Sequence, residues 1–307
     1  MNPHQIFSAF ALIVFLFFNT PCFTQSTDDA ENNHSKNKNG KGFHVGLYLG
    51  SYFANKYTAG IYDGYGLDNN GIKNNFANSF MRHRIVIEYG GGNGQIDQIA
   101  QVMNINSGDW NFDETDMPVN MKYNSAFLAG AQILYGITQK DALLLNINAA
   151  KLTLNGNFTI TITTLPIGPQ QPNYENIKTF SIIGGEQRIM FQMGYRRILG
   201  DDDMFNFFVE GGLTLNMTKF IRNMITINSL QIDLSTYYTN PYYTTYRAKY
   251  LSGVGLGTFT SLGLNIRVNP KWNIQLLYTP SYERINIGEN PRYTLQNAIG
   301  VRAFYNL

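Results

Sequence analysis

A single cysteine, Cys22, stands in the 307 residues, and it falls in a segment expected to be cut away. With no second thiol there is no disulfide, so an exported chain of this size must be held by its own packing or by a membrane. Charge is scarce too: 14% of the residues are Asp, Glu, Lys or Arg, and the net charge is +2. That balance excludes the basic stripe of a nucleic-acid binder and the self-repelling composition of a disordered chain. Tryptophan is nearly absent, with 2 residues against 20 Tyr and 21 Phe. Past the N-terminus no apolar run reaches the length of a transmembrane helix. P-loop and metal-ligand spacings are missing, so no cofactor, metal or catalytic residue is expected.

What is present begins with an export signal. Ile6 to Phe18 is apolar apart from Ser8, too short to span a bilayer and placed where the hydrophobic region of a signal peptide belongs. Cleavage after Thr24 puts Cys22 and Thr24 at the −3 and −1 positions, giving a signal peptide over residues 1–24 and a mature chain starting at Gln25. Acylation of Cys22 is the alternative, but Asn19-Thr20-Pro21 lacks the Leu and small residue that a lipoprotein signal favours. Residues 25–42, rich in Asn, Lys and Asp, read as a flexible periplasmic tail.

From there the chain alternates. Near the C-terminus Val254, Leu256, Leu262, Leu264 and Ile266 share one face, and Gly253, Gly255, Gly257, Ser261 and Gly263 the other. After Asn269-Pro270-Lys271 the apolar face passes to Trp272, Ile274, Leu276, Tyr278 and Tyr282, and then to Ile299, Val301, Ala303, Tyr305 and Leu307. Strands of soluble sandwiches run about five or six residues, whereas a tilted membrane-spanning strand needs about 9–11. Five earlier segments repeat the pattern. Their apolar faces hold Phe43 to Leu49, Tyr123 with Phe127 to Ile137, Leu143 to Ile147, Ile189 to Tyr195, and Phe205 to Leu215. Lys151, Phe208 and Leu277 interrupt it. The fold expected is all-β, an antiparallel transmembrane β-barrel over residues 43–307, with eight strands, or ten if Phe80 to Glu88 pairs as a strand. Hydrocarbon tolerates no open sheet edge, which requires the sheet to close. Short turns (Thr138 to Asp141, Gly200 to Asp203, Asn269 to Lys271) then lie in the periplasm, and long loops outside.

Eight strands enclose a lumen that side chains nearly fill. The inward set includes Glu186, Arg188, Arg196, Glu210, Arg267, Glu283 and Arg302, with Gln132, Gln192, Asn273 and Gln275 and many glycines. Charges of both signs in so narrow a space should pair. Two readings follow, a structural plug or a polar channel or proton path. Whether Tyr48, Tyr52 and Phe259 refill the room left by the glycines is not legible in the sequence.

The loops carry what is individual. The first, about residues 58–118, is too long for a hairpin connection. It holds an apolar block from Phe80 to Tyr89, the glycines Gly90 to Gly94, and a segment that sets Ile96, Ile99, Ala100 and Met103 on one helical face. It is expected to form a folded cap or a partner-binding surface. Tyr237, Tyr238, Tyr242, Tyr243, Tyr246 and Tyr250 crowd a later loop, as part of an interfacial belt or as a contact surface. Catalytic candidates are thin: His44, His83 between Arg82 and Arg84, and Asp109, Asp113, Glu114 and Asp116, whose spacing matches no calcium loop.

Over residues 43–307 the chain resembles the small eight-stranded outer-membrane barrels of the OmpA/OmpX/OmpW-like class, and the signal ending Cys22-Phe23-Thr24-Gln25 with the Asn- and Tyr-rich loops looks like Bacteroidota export. The last strand departs from that class in ending on Leu307 rather than an aromatic residue, and no peptidoglycan-binding role is expected of the chain. The resemblance implies an outer-membrane location in a Gram-negative cell, contact with outer-membrane lipid and lipopolysaccharide, and a non-catalytic structural or interaction role. An accessory subunit of an export or barrel-assembly complex is one form of that role. The alternatives are a narrow channel for small solutes and, third, a lipid-modifying enzyme.

Overall fold

The computed structural model describes residues 42–66, 72–86, 95–163, 176–200, 202, 204–235, 252–287 and 292–307. The expected signal peptide, nearly all of the polar tail, Gly90 to Gly94, and the cluster from Tyr237 to Tyr250 lie outside the described residues. Those described fall in one compact unit, Asn39–Leu307.

Eight strands form the wall: β1 (Gly42–Phe53), β2 (Ala126–Gly136), β3 (Asp141–Ile162), β4 (Ile177–Leu199), β5 (Phe205–Ile227), β6 (Ser252–Arg267), β7 (Trp272–Arg284) and β8 (Tyr293–Asn306). Each pairs antiparallel with its sequence neighbours, and β1 pairs with β8, from His44 opposite Asn306 to Phe53 opposite Asn297. The ring is therefore closed with eight strands. The ten-strand alternative fails because Phe80–Ile85 is a helix, α1, capped by the Ser79 side chain. A short apolar run fits a buried helix as well as a strand, and periodicity alone does not separate the two.

The wall is apolar outside. Leu47, Phe127 and Phe207 are 68%, 67% and 66% exposed, and they belong to a belt that runs through every strand. A continuous surface of this kind is stable only against lipid, and the barrel spans a membrane. Aromatic pairs stand at its margins: Phe43 with Tyr135 and Trp272 with Tyr305 at the short-turn end, Tyr282 with Tyr293 at the long-loop end.

The strands are unequal. β3, β4 and β5 run 22, 23 and 23 residues, far more than a membrane requires, and extend past the belt at the long-loop end. There the inward face of β3 turns from Asn146 and Asn148 to Leu152, Leu154, Phe158 and Ile160, all buried. The first loop folds onto that apolar face. Its helices α1 and α2 (Ile96–Met103) bury Met81, Ile85, Ile99 and Ala100 in one core with Tyr62, Phe112, Ile182, Ile225 and Ile232. Asn104 ends α2 in the left-handed conformation, φ 57°, and Asn228 Nδ2 donates to the Val102 carbonyl at 2.7 Å. The loop is thus a cap seated on the extended strands, rather than a projection away from them.

Candidate functional site

Inside the wall, space is set by glycines and taken by rings. A Cβ at Gly263 would lie 2.2 Å from the Phe208 ring, one at Gly184 2.5 Å from Tyr62, one at Gly46 2.7 Å from Phe304, and one at Gly300 2.7 Å from Tyr48. Each of these four glycines makes room for an aromatic side chain, whereas Gly212, Gly253, Gly255 and Gly257 lie against backbone carbonyls of neighbouring segments. Tyr48, Tyr52 and Phe259 are all buried; Tyr48 fills room at Gly300 and Phe259 at Gly194, while Tyr52 accepts from Arg188. The interruptions at Phe208 and Leu277 have the same cause: both point inward, and Gly263 stands opposite each of them on β6. Lys151, in contrast, keeps to the outward face, one step beyond the apolar belt.

Three polar layers cross the lumen. Nearest the short-turn end, Glu210 Oε1 accepts from Arg196 Nη2 and from Arg302 Nη1, both at 2.6 Å. Arg196 also donates to Gln275 Oε1 at 2.7 Å and lies 4.5 Å from the Phe208 ring centre. The middle layer holds Glu283, which accepts from Asn216 Nδ2 at 2.7 Å and from Ser281, and Gln192, which accepts from Asn148 at 3.2 Å. Nearest the long-loop end, Arg188 Nε donates to Glu186 Oε1 at 2.7 Å, with both side chains at 0% exposure. The remaining Arg188 donors reach Tyr52 at 3.1 Å, Gln296 at 3.3 Å and Thr58 at 3.1 Å.

That outermost layer is shared with the cap. Tyr62 and Tyr123 donate to Glu186 Oε2 at 2.9 and 3.0 Å, and Thr58 bonds Arg188 and Tyr123. Burial beside the Glu186 carboxylate holds the Tyr62 phenol far above its usual range, so it remains a donor. The placement corrects the sequence reading of Tyr123. It stands on a separate short strand, Lys122–Tyr123, beyond the break at Asn124 and Ser125, and points into the barrel mouth instead of towards lipid.

Six of the seven inward charges therefore stand buried, in the three layers. Arg267 is half-buried near the short turns, and Glu283 has hydrogen-bond donors but no arginine among the described residues. Ile99 is fully buried, and Ile96 and Met103, partly buried, pack against the cap core, so the three hold the cap together. Thr58, Tyr62 and Gln296 escaped the sequence reading. Thr58 and Tyr62 meet β4 across more than 120 positions, and no local pattern marks them.

A cavity of about 20 Å³ lies between the layers, lined by Tyr48, Asn148, Gln192, Ser281, Glu283 and Arg302 among others. It has room for a water molecule or two. Tyr48 OH, Asn148 Oδ1 and Arg302 Nε on its walls, with Gln132, Thr214 Oγ1 and Glu210 Oε2 nearby in the lumen, find no protein partner. Buried polar atoms of this kind are satisfied by water.

The catalytic candidates do not converge. His44 bonds Asn306 at the short-turn end, and His83 sits on α1. Asp113 and Asp116 form a capping box around a turn of 3-10 helix, Glu114–Asp116, and Asp109 bonds Asn106. Among the described residues no three His, Cys, Asp or Glu side chains are grouped to share a metal ion.

No family model matches the chain, and no curated protein sequence matches it. Among solved structures it is similar to Neisserial surface protein A, at 8% identity over 87% of this chain and 98% of that one, with a TM-score of 0.39. It is likewise similar to the N-terminal β-barrel domain of Pseudomonas aeruginosa OprF, at 10% identity over 87% and 99%, TM-score 0.34. The attachment invasion locus protein of Yersinia pestis gives 8% over 86% and 98%, TM-score 0.32. At these values the membrane-barrel architecture rests on the closed ring and apolar belt of this chain itself.

Proposed function

We propose that the protein is a non-catalytic outer-membrane barrel with a structural or interaction role, its long loops outside the cell and its short turns in the periplasm. The observation that carries this reading is the filling of the lumen, by three polar layers and by a cap bonded to the outermost one. A barrel closed in this way has its exterior and its loops left for contacts. Another outer-membrane protein or complex, met through the long loops, is the partner proposed. Affinity purification from native membranes in mild detergent is expected to recover a stoichiometric second protein; a clean monomer would overturn the partner-bound role.

A second reading, a narrow channel for small solutes, is favoured by the polar cavity and its unpartnered groups. Planar-bilayer recording separates the two. The filled lumen leads us to expect no conductance from the wild-type chain, and silence also from a variant with Arg302 and Glu283 both truncated to Ala excludes a gated pore.

A further inference from the structure

The margin of the belt at the long-loop end changes character around the barrel. On β7, β8, β1 and β2 it carries Tyr282, Tyr293, Phe53 and Phe127, all exposed. On β3, β4 and β5 the outward row Ala149, Ile189 and Met217 is followed by Lys151, Gln187 and Lys219, exposed and in register, before Ile221 and the Ile183–Met224 pair return an apolar surface further out. One step further, Arg222 pairs with Gly185. We propose that this sector binds the phosphate group of a phosphorylated glycolipid in the outer leaflet.

Several features converge on an anion here. The register of β4 and β5 shifts between Gly185 and Glu186, so that Ile221 and Arg222 both face outward while Phe220 points in and stacks on Tyr62 at 5.1 Å. Without that bulge, strict alternation would bring only one of the two outside. A Cβ at Gly185 would stand 3.3 Å from Arg222 Cγ and 3.6 Å from its Nε, so the arginine lies across the strand over a position with no side chain. Its side chain is thereby laid over β4. Lys151 and Lys219 flank Gln187 on adjoining strands, about 10 Å apart by strand spacing, within reach of one group for two long flexible stems. None of the three cations has an ion-pair partner among the described residues. No Asp or Glu stands on the outward face of β3, β4 or β5 beyond Asp141 at the opposite end; Asp233, on the short strand Leu230–Asp233 that pairs with β5 beyond Arg222, accepts from Ser235, and Glu186 and Glu210 point inward.

Like charges gathered without an ion-pair partner repel one another, and at the edge of hydrocarbon they are less well solvated than in open water. A phosphate just above the acyl chains relieves both costs. It also suits a guanidinium, which offers paired donors to an oxyanion, with two ammonium groups beside it. The head group of a phosphorylated lipid holds its charge at this depth, where basic side chains attract it.

The inference rests on the outward orientation of the long loops proposed above, which surface labelling of intact cells tests separately. Lipid binding is measured on the full chain in neutral detergent by native mass spectrometry, with three probes: bisphosphorylated lipid A, the same lipid without phosphates, and inorganic phosphate. Bisphosphorylated lipid A should be retained, the dephosphorylated lipid lost, and inorganic phosphate at equal concentration should displace nothing. The triple variant K151Q/K219Q/R222Q should weaken retention by at least about tenfold, while K271Q at the short-turn end leaves it unchanged. Folding of each variant is read from the heat-dependent gel shift of the barrel, and R222Q alone serves if the triple variant does not fold. Equal binding by the dephosphorylated lipid, equal binding by the folded variant, or displacement by inorganic phosphate would each overturn the proposal.

Discussion

The hydroxyl of Tyr62, in the first outer loop, donates to the carboxylate of Glu186 on β4 at 2.9 Å, across 124 positions of chain. This bond, with Tyr123 and Thr58 beside it, fastens the cap to the lumen. A hydrogen bond to a charged group contributes about 1.5–3 kcal/mol. Tyr62→Phe keeps the ring stacked on Phe220 and removes only the donor. Hydrogen exchange in residues 56–62 and 95–123 should rise by about one to two orders of magnitude, with β1 and β8 unaffected. Unchanged cap protection would show that the apolar core alone holds it.

Glu210 holds two arginines on one oxygen. Glu210→Gln leaves both buried cations without a counter-charge, and breaking a buried ion pair costs about 3–5 kcal/mol. Urea unfolding in lipid vesicles should show a loss of that size. Combining Glu210→Leu with Arg196→Met and Arg302→Met removes the charges together and should recover most of it.

Gly263 should tolerate no side chain. Ala there would drive a methyl group into the Phe208 ring at 2.2 Å and the Leu276 carbonyl at 2.7 Å, and overpacking of this kind costs about 1–3 kcal/mol. Gly60 in the cap meets nothing within 4 Å, so Gly60→Ala should stay within about 0.5 kcal/mol of wild type. Comparing the two by thermal gel shift tests whether close approach, rather than glycine content, sets the lumen.

Acid should loosen the cap. Burial, and then the neighbouring Arg82, hold the His83 imidazole below its usual 6.5. The unfolded cap therefore takes up a proton before the folded one does, and stability falls as pH drops below about 6.5. Asp63 acts oppositely and in the carboxylate range. Its burial raises the carboxyl despite Lys73, so the folded form gains relative stability as that group protonates. Limited proteolysis of the cap at pH 7.5 and pH 5.8 should show faster cleavage at the lower pH, and His83→Gln should remove the difference.

Much of the wall was legible because a buried lumen and a lipid exterior impose the period of two on each strand. Glu186, Arg188, Arg196, Glu210, Glu283 and Arg302 could be placed inward by counting from their neighbours. What they bond could not be counted, since Arg302 meets Glu210 across 92 positions through closure of the ring. The cap fell between. The face of α2 was visible as Ile96, Ile99, Ala100 and Met103, but α1 is a six-residue helix too short to show its period. Tyr123 misled because its strand is interrupted at Asn124 and Ser125, and alternation carries no memory across such a break.

The seam between β1 and β8 joins His44 to Asn306, 262 positions apart, so the ring cannot close until the last strand has been made and delivered. On the proposed orientation, with the long loops outside, residues 54–125 have to cross the membrane before that closure, since the finished interior leaves no passage for a polypeptide. The sheet therefore has to stay open as a curved ribbon while the longest loop goes through, and Tyr62 can find Glu186 only after that crossing. The order of assembly is written into the distance between the two ends of one hydrogen-bonded edge.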